Sequence, residues 1–283
     1  FMPSEAFTEW GWRIPFLMSA IVLIAGFIIR KEVHETPAFV QEEKQDKVVK
    51  SPISEAFRHS WKHMVLVMFM ALMNVIPVVA TIFGAAYAVQ PAYGIGFDKS
   101  VYLWIPVVGN IVAVLVIPFV GNLSDKIGRR PTMIAGCLGS GLLAFVYLYA
   151  ISIQNVPMAF AASIVMWGMV YQGYNAVFPS FYPELFHTRY RVTAMAIAQN
   201  IGTMLTAMLP ALFAMVAPPG SDNIPLVVGG LAFFITGVCA LAAYIAPETH
   251  RLAMDDLGNP DAKPMEKAAY EASRKGSFQA VSH

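Results

Sequence analysis

Charge is scarce in this chain. Only 13% of its 283 residues are Asp, Glu, Lys or Arg, against about 25% in a typical soluble domain. With 57% hydrophobic residues, a deficit of that size points to a protein solvated by lipid. The net charge is +1, so there is no cationic surplus to attract nucleic acid. Cysteine is nearly absent too: Cys137 and Cys239 both sit in apolar runs, where a free thiol acts as a small hydrophobe. Neither a disulfide framework nor metal-ligand spacing can be built from them, and no cofactor is expected. H-E-x-x-H, G-x-S-x-G and paired acids at membrane depth are all lacking, which argues against an enzyme. No basic segment leads into a cleavable apolar stretch, so no signal peptide is read. The central parts of the apolar runs hold no Asp, Glu, Lys or Arg.

What the chain does have is long apolar runs. A bilayer-spanning helix needs about 20 mostly apolar residues. Seven runs qualify, at 12–30, 64–90, 101–120, 132–151, 158–182, 193–217 and 225–246. The fold class is therefore all-α integral membrane. Pro77 and Gly84 lie in the longest run and predict a bend or local unwinding there. Lys and Arg alternate across the spans: seventeen fall in segment 30–63, loop 121–131, turn 183–192 and the tail, against Arg13 and Lys99 on the other side. The positive-inside rule then makes the C-terminus cytoplasmic and places residue 1 outside.

Between the first two runs, Ser51-Pro52 reads as a helix start, opening an amphipathic surface helix over Ile53 to His63. The tail from 248 onward reads as disordered, with a short helix possible around Met265–Arg274. Glu35-Thr36-Pro37 after the first run and Pro247-Glu248-Thr249 after the last form a faint internal echo.

The stretch from Gly121 to Arg130 packs one acid, three bases and two glycines between two apolar runs. Gly128 can supply the backbone freedom of a sharp reversal. Asp125 can face a helix N-terminus, and Arg129 and Arg130 can bridge acids on neighbouring helices. The spacing G-x-x-x-D-[RK]-x-G-R-[RK] resembles the signature loop of the major facilitator superfamily. Trp10-Gly11-Trp12-Arg13-Ile14-Pro15-Phe16 resembles the entry to the sixth helix of many members. Glu35-Thr36-Pro37-Ala38-Phe39 and Tyr182-Pro183-Glu184-Leu185-Phe186, followed by Thr188-Arg189 and Arg191, resemble the metabolite:proton symporters.

The resemblance implies that the seven spans are helices six to twelve of a twelve-helix fold. Residues 1–30 would be the last helix of the N-terminal bundle, 31–63 an inter-bundle linker, 64–247 the C-terminal six-helix bundle and 248–283 a cytoplasmic tail. It also implies proton-coupled symport of a small polar metabolite (an organic acid or zwitterionic osmolyte) by rocker-switch alternating access. The setting would be a bacterial inner membrane, and the carrier a monomer. An uncoupled, sugar-porter-like facilitator is the alternative. A cytoplasmic gate would comprise Gly121, Asp125, Gly128, Arg129, Arg130, Glu184 and Arg191. Within it, Glu184 is expected to approach Arg129 or Arg130, and Asp125 to face the N-terminal bundle.

Polar side chains in the spans supply candidates for substrate contact. Trp167, Tyr171 and Asn175 recur on one face of their run, with Tyr174 among them. Asn74 and Thr81 share a face of the longest run, Tyr87 lies six residues further on, and Asn110 sits mid-helix. Helix-to-helix bonding is the competing role for such groups, and it is the one expected of Thr203 and Thr206.

Overall fold

The computed structural model describes residues 6–32, 51–253, 256–259, 262–266 and 269–270. Among them no strand occurs. Seven helices are long and apolar enough to cross a membrane. They are α1 (Glu9–Lys31), α2 (Ile53–Val89), α3 (Lys99–Ile127), α4 (Arg129–Ser152), α5 (Val156–Glu184), α6 (Arg191–Val216) and α7 (Ile224–Ile245). The Glu35-Thr36-Pro37 half of the echo and residues 271–283 lie outside the described residues.

The chain divides into two compact units, Phe1–Val48 and Val49–His283. In the first, a π turn over Phe7–Gly11 leads into α1 and overlaps its start. Arg13 donates to the Glu9 carbonyl at 2.7 Å and lies 4.6 Å from the Trp12 ring. Arg30 and Lys31 close the helix, where cations complement the negative end of its dipole.

The second unit is a bundle of α2 to α7. Its most extensive pairings are α2 with α6, α4 with α7 and α4 with α5, followed by α3 with α5 and α2 with α7. Small residues on α4 make its crossings close, as is usual where lipid gives no hydrophobic drive for helix association. A Cβ built on Gly136 would lie 2.7 Å from the Tyr174 nitrogen and 2.8 Å from Gly173 Cα. The two backbones touch there with nothing between them.

The unwinding expected at Pro77 is present. Leu72–Asn74 is 3₁₀ and Val78–Phe83 is π. Proline has no N–H to give and its ring crowds the preceding turn, so the ladder must shift register around it. Two buried tyrosines from neighbouring helices support the altered turn. Tyr102 of α3 donates to the Ala80 carbonyl at 2.7 Å and Tyr147 of α4 reaches the same oxygen at 3.2 Å. Their hydroxyls are 2.8 Å apart.

Three boundaries differ from the sequence reading. The helix expected over Ile53 to His63 is shorter: Pro52–Ala71 is broken at Ser60, whose φ of −130° and ψ of 18° are not helical, so a short helix precedes the span across a kink where the Ser60 and Tyr190 hydroxyls meet at 2.9 Å. Ser51 precedes it but makes no side-chain cap. Second, Gly121 to Ile127 belongs to α3, so the supposed loop is the one residue Gly128 between two helices. Apolar periodicity fades before the helix stops, because α3 projects beyond its hydrophobic stretch. Third, the first residues of the tail are anchored. Glu248 and Thr249 bond to the bundle, and a Cβ on Gly258 would lie 2.4 Å from the His187 nitrogen.

Candidate functional site

Gly128 sets the geometry at one end of the bundle. Its φ of 114° and ψ of 158° lie where a side chain is strained, and they turn the chain from α3 into α4 in one step. The first N–H groups of α4 are thereby left without helical partners. Glu248 supplies those partners from beyond α7: the Arg129 and Arg130 amides donate to its two carboxylate oxygens, each at 3.0 Å. A carboxylate at a helix N-terminus also meets the positive end of the dipole. The His250 amide donates to Glu248 as well, at 3.1 Å.

The Arg129 side chain joins three elements. It donates to Ser124 Oγ at 2.8 Å and pairs with Asp125, both on the last turn of α3. Its other terminal nitrogen lies 3.3 Å from Glu184 at the end of α5. Thr249 donates to the same Glu184 carboxylate. The side chains of Arg129, Asp125 and Glu184 are 15%, 30% and 19% exposed. Partial shielding makes such a network stronger than a free surface pair, and the forked guanidinium suits two carboxylates at once.

The remaining gate candidates stand around this centre. Arg130 does not reach Glu184. It donates to the Tyr244 carbonyl and lies 5.1 Å from the Tyr244 ring. Arg191 donates to the Phe186 carbonyl at 3.1 Å, steadying the turn into α6. Gly121 lies on α3 with open space where a Cβ would go. Asp125 pairs with Arg129 in its own hairpin. Glu248 and Thr249 were not among the candidates. Their signal was the Pro247-Glu248-Thr249 echo, which placed an acid and a hydroxyl just past α7, within reach of the uncapped helix start.

Replacing Gly128 by alanine should strain the turn and displace the cap together, because the new Cβ would lie 2.8 Å from Glu248 Oε2. A loss of about 2 kcal/mol is expected, read as a lower melting temperature in detergent. His250 offers a gentler test. Burial and then Arg251 hold its imidazole below the usual pKa of 6.5, so the folded form binds protons less readily than the unfolded chain. Its contribution to stability is therefore full above pH 6.5 and declines as pH falls below that value. The melting temperature in detergent should fall between pH 6.5 and 5, and His250→Gln should make that fall shallower.

The polar groups inside the spans form separate pairs. Asn74 of α2 donates to Thr203 of α6 at 3.2 Å. Trp167 of α5 donates to the Asn110 amide oxygen on α3 at 3.1 Å and stacks on Tyr171 at 5.2 Å. Asn175 bonds Gln172 at 2.9 Å. Thr81 returns its hydroxyl to the Pro77 carbonyl at 2.7 Å. Asn110 and Thr203 are exposed, Asn74, Thr81, Trp167 and Asn175 half-buried and Tyr171 buried. Tyr87 lies apart from them. It is buried beyond the π turn, stacked on Phe83 at 6.0 Å and edge-on to Tyr93 at 5.4 Å. Thr206, read as helix glue, bonds only back to the Thr203 carbonyl at 2.7 Å among the described contacts.

Comparison with known proteins agrees with this architecture. The Major Facilitator Superfamily family model matches residues 4–211 and 72–261. The inner membrane metabolite transport protein YhjE of Escherichia coli is 27% identical over 214 residues, 73% of this chain and 47% of that protein. The proline/betaine transporter of Salmonella typhimurium is 28% identical over 226 residues, covering 77% and 45%. The shikimate transporter of Escherichia coli is 25% identical over 205 residues, covering 71% and 46%. The chain spans about half the length of these curated relatives. A bundle of apolar helices with a Gly-Arg-Arg turn, matched by the family model across residues 4–261, places this multi-pass membrane chain in the Major Facilitator Superfamily.

Proposed function

We propose that this chain supplies the sixth to twelfth helices of a twelve-helix secondary transporter for a small polar metabolite. It works by alternating access between two bundles and is coupled to protons. The carrying observation is Arg129, held at once by Asp125, Ser124 and Glu184 from two different helices. A network of that kind, lying within one bundle, can hold the ends of α3, α4 and α5 together in one conformation and release them in the other, which is what a gate requires. In this reading it lies on the cytoplasmic side, where lysine and arginine are concentrated. Gly121, Gly128, Arg130 and Arg191 set the turn and its neighbours around it.

The substrate surface in this reading is the side bearing Asn110, Trp167, Asn74, Thr81 and Asn175. Asn110 is exposed at mid-span although it accepts from Trp167 and donates to the Pro106 carbonyl, and its second amide proton is better served by a watery cavity or an opposing protein surface than by hydrocarbon. Amide, hydroxyl and indole groups with no fixed charge suit a neutral or zwitterionic solute. Proline, betaine and shikimate, named for relatives, all fall within small polar metabolites.

The decisive assay is counterflow with the whole protein in vesicles, using betaine, proline, shikimate, 2-oxoglutarate and citrate. One of them should exchange, and Asp125→Asn should cut exchange severely without lowering the amount of protein in the membrane. No exchange of any of the five would reject the substrate class, and undiminished exchange by the variant would reject the gate. An uncoupled facilitator is the second reading, favoured by the lack of ionisable residues in the central parts of the apolar runs. Uptake that ignores a collapsed proton gradient would establish it over symport.

A further inference from the structure

A cavity of about 680 Å³ opens at the end of the bundle opposite Gly128. It lies between the end of α4 and the start of α7, with Phe145, Val146 and Tyr149 on one wall and Leu226 on the other, and Tyr87 of α2 and Met158 of α5 also line it. Its rim is polar, formed in part by Ser152 and Asn223, and no Asp, Glu, Lys or Arg lines it. Phe145 precedes Ser152 by seven residues, so the apolar floor lies about 10 Å deeper along α4 than the rim. The cleft is thus graded, wet at the helix ends and greasy below.

Its surroundings identify what fills it. The exposed or half-buried mid-span amides and indole sit on α2, α3, α5 and α6. Along α4 and α7 the exposed side chains between the helix ends are apolar, among them Leu138, Leu142, Val146, Phe233, Phe234 and Leu241. Exposed tyrosines stand at the two ends of this pair, Tyr149 on α4 and Tyr244 on α7. An apolar band bounded by aromatic residues at both levels is the mark of a surface in contact with hydrocarbon and headgroups. The cleft interrupts that band and opens into it.

We propose that this cleft is a seat for one phospholipid of the adjacent leaflet, with a headgroup of zero net charge. Its acyl chain runs down between Phe145, Val146 and Leu226. The headgroup rests among Tyr149, Ser152 and Asn223, which offer hydroxyl and amide partners and no cation to favour an anionic lipid. A built seat of this volume holds its lipid longer than the smooth faces of the same helices do, because both chain and headgroup have partners.

The test uses the whole protein in nanodiscs with a phosphatidylethanolamine carrying a photoreactive acyl chain, followed by peptide mapping. Crosslinks should concentrate on residues 145–152 and 223–228. Unlabelled phosphatidylethanolamine should compete better than phosphatidylglycerol. Val146→Trp, which fills the cleft, should lower labelling roughly tenfold, a loss of about 1.4 kcal/mol in occupancy free energy. Ser152→Lys adds a cation at the rim and should turn the preference toward phosphatidylglycerol, a gain that a misfolded variant could not give. Labelling spread evenly over the exposed apolar face of α3, or unchanged by Val146→Trp in a protein that still melts cooperatively, would overturn the proposal. So would equal competition by both lipids in the parent together with no change of preference in Ser152→Lys.

Discussion

Alanine at position 136 is expected to prevent the bundle from closing. The added methyl would lie within 2.8 Å of backbone atoms of Gly173 and Tyr174, and neither is the movable end of a side chain. Relief therefore requires α4 and α5 to separate as rigid rods. Overpacking against adaptable neighbours costs roughly 1–3 kcal/mol, and a backbone contact belongs at or beyond the top of that range. The separation would spread, since α4 also carries the crossing to α7, where Gly141 already lies against Thr236. Gly136→Ala should lower the melting temperature more than any other single methyl addition on α4, and Gly136→Val should yield no folded protein from the membrane. A Gly136→Ala variant that melts like the parent would mean that α4 and α5 are not in backbone contact.

Substitutions at Arg129 should be graded by how many carboxylates the new side chain can serve. Methionine keeps the length and removes the charge, and with it the guanidinium that Asp125 and Glu184 share. Stripping one partner from a fully buried ion pair costs roughly 3–5 kcal/mol. With these side chains partly exposed, about 2 kcal/mol is the expected loss. Lysine restores the charge but offers one compact point instead of a fork, so it can satisfy one acid well and the other poorly. Thermal unfolding and uptake should both rank arginine above lysine above methionine, with methionine costing more than tenfold in uptake. If lysine transports as well as arginine, the geometry of the fork has no role. If methionine melts normally but does not transport, the network acts in movement and contributes little to stability.

Much of the architecture could be read directly from the residues, for simple physical reasons. Lipid leaves little freedom: a helix must be long and apolar to cross it, and all seven runs are helices here. The bend at Pro77 was equally legible, since an imino acid inside a span has to disturb the hydrogen-bond ladder. Helix ends were less so. Ser124, Asp125 and Lys126 look like loop residues by polarity, yet they continue α3, because a helix can extend past the apolar layer while its side chains reach polar partners. Arg129 and Glu184 were named from the sequence, but which arginine takes the acid depends on rotation within α4, and periodicity over one turn does not fix that. Glu248 went unassigned because its partners are backbone amides. Nothing in the side chains of a sequence marks an uncapped N–H until the turn ahead of it is known.

The paired phenols that meet at Ala80 have a consequence for evolution and for engineering. The Ala80 carbonyl lies within reach of two hydroxyls with one proton each, so one donates to it while the other donates to it or to its fellow hydroxyl, and the joint in α2 is insured against the loss of either. Phenylalanine at position 102 or 147 alone should be tolerated, whereas both changes together should release the distorted turn. Drift at one of these positions is therefore invisible until the second changes, and the hinge can tolerate mutations that would break a singly pinned joint.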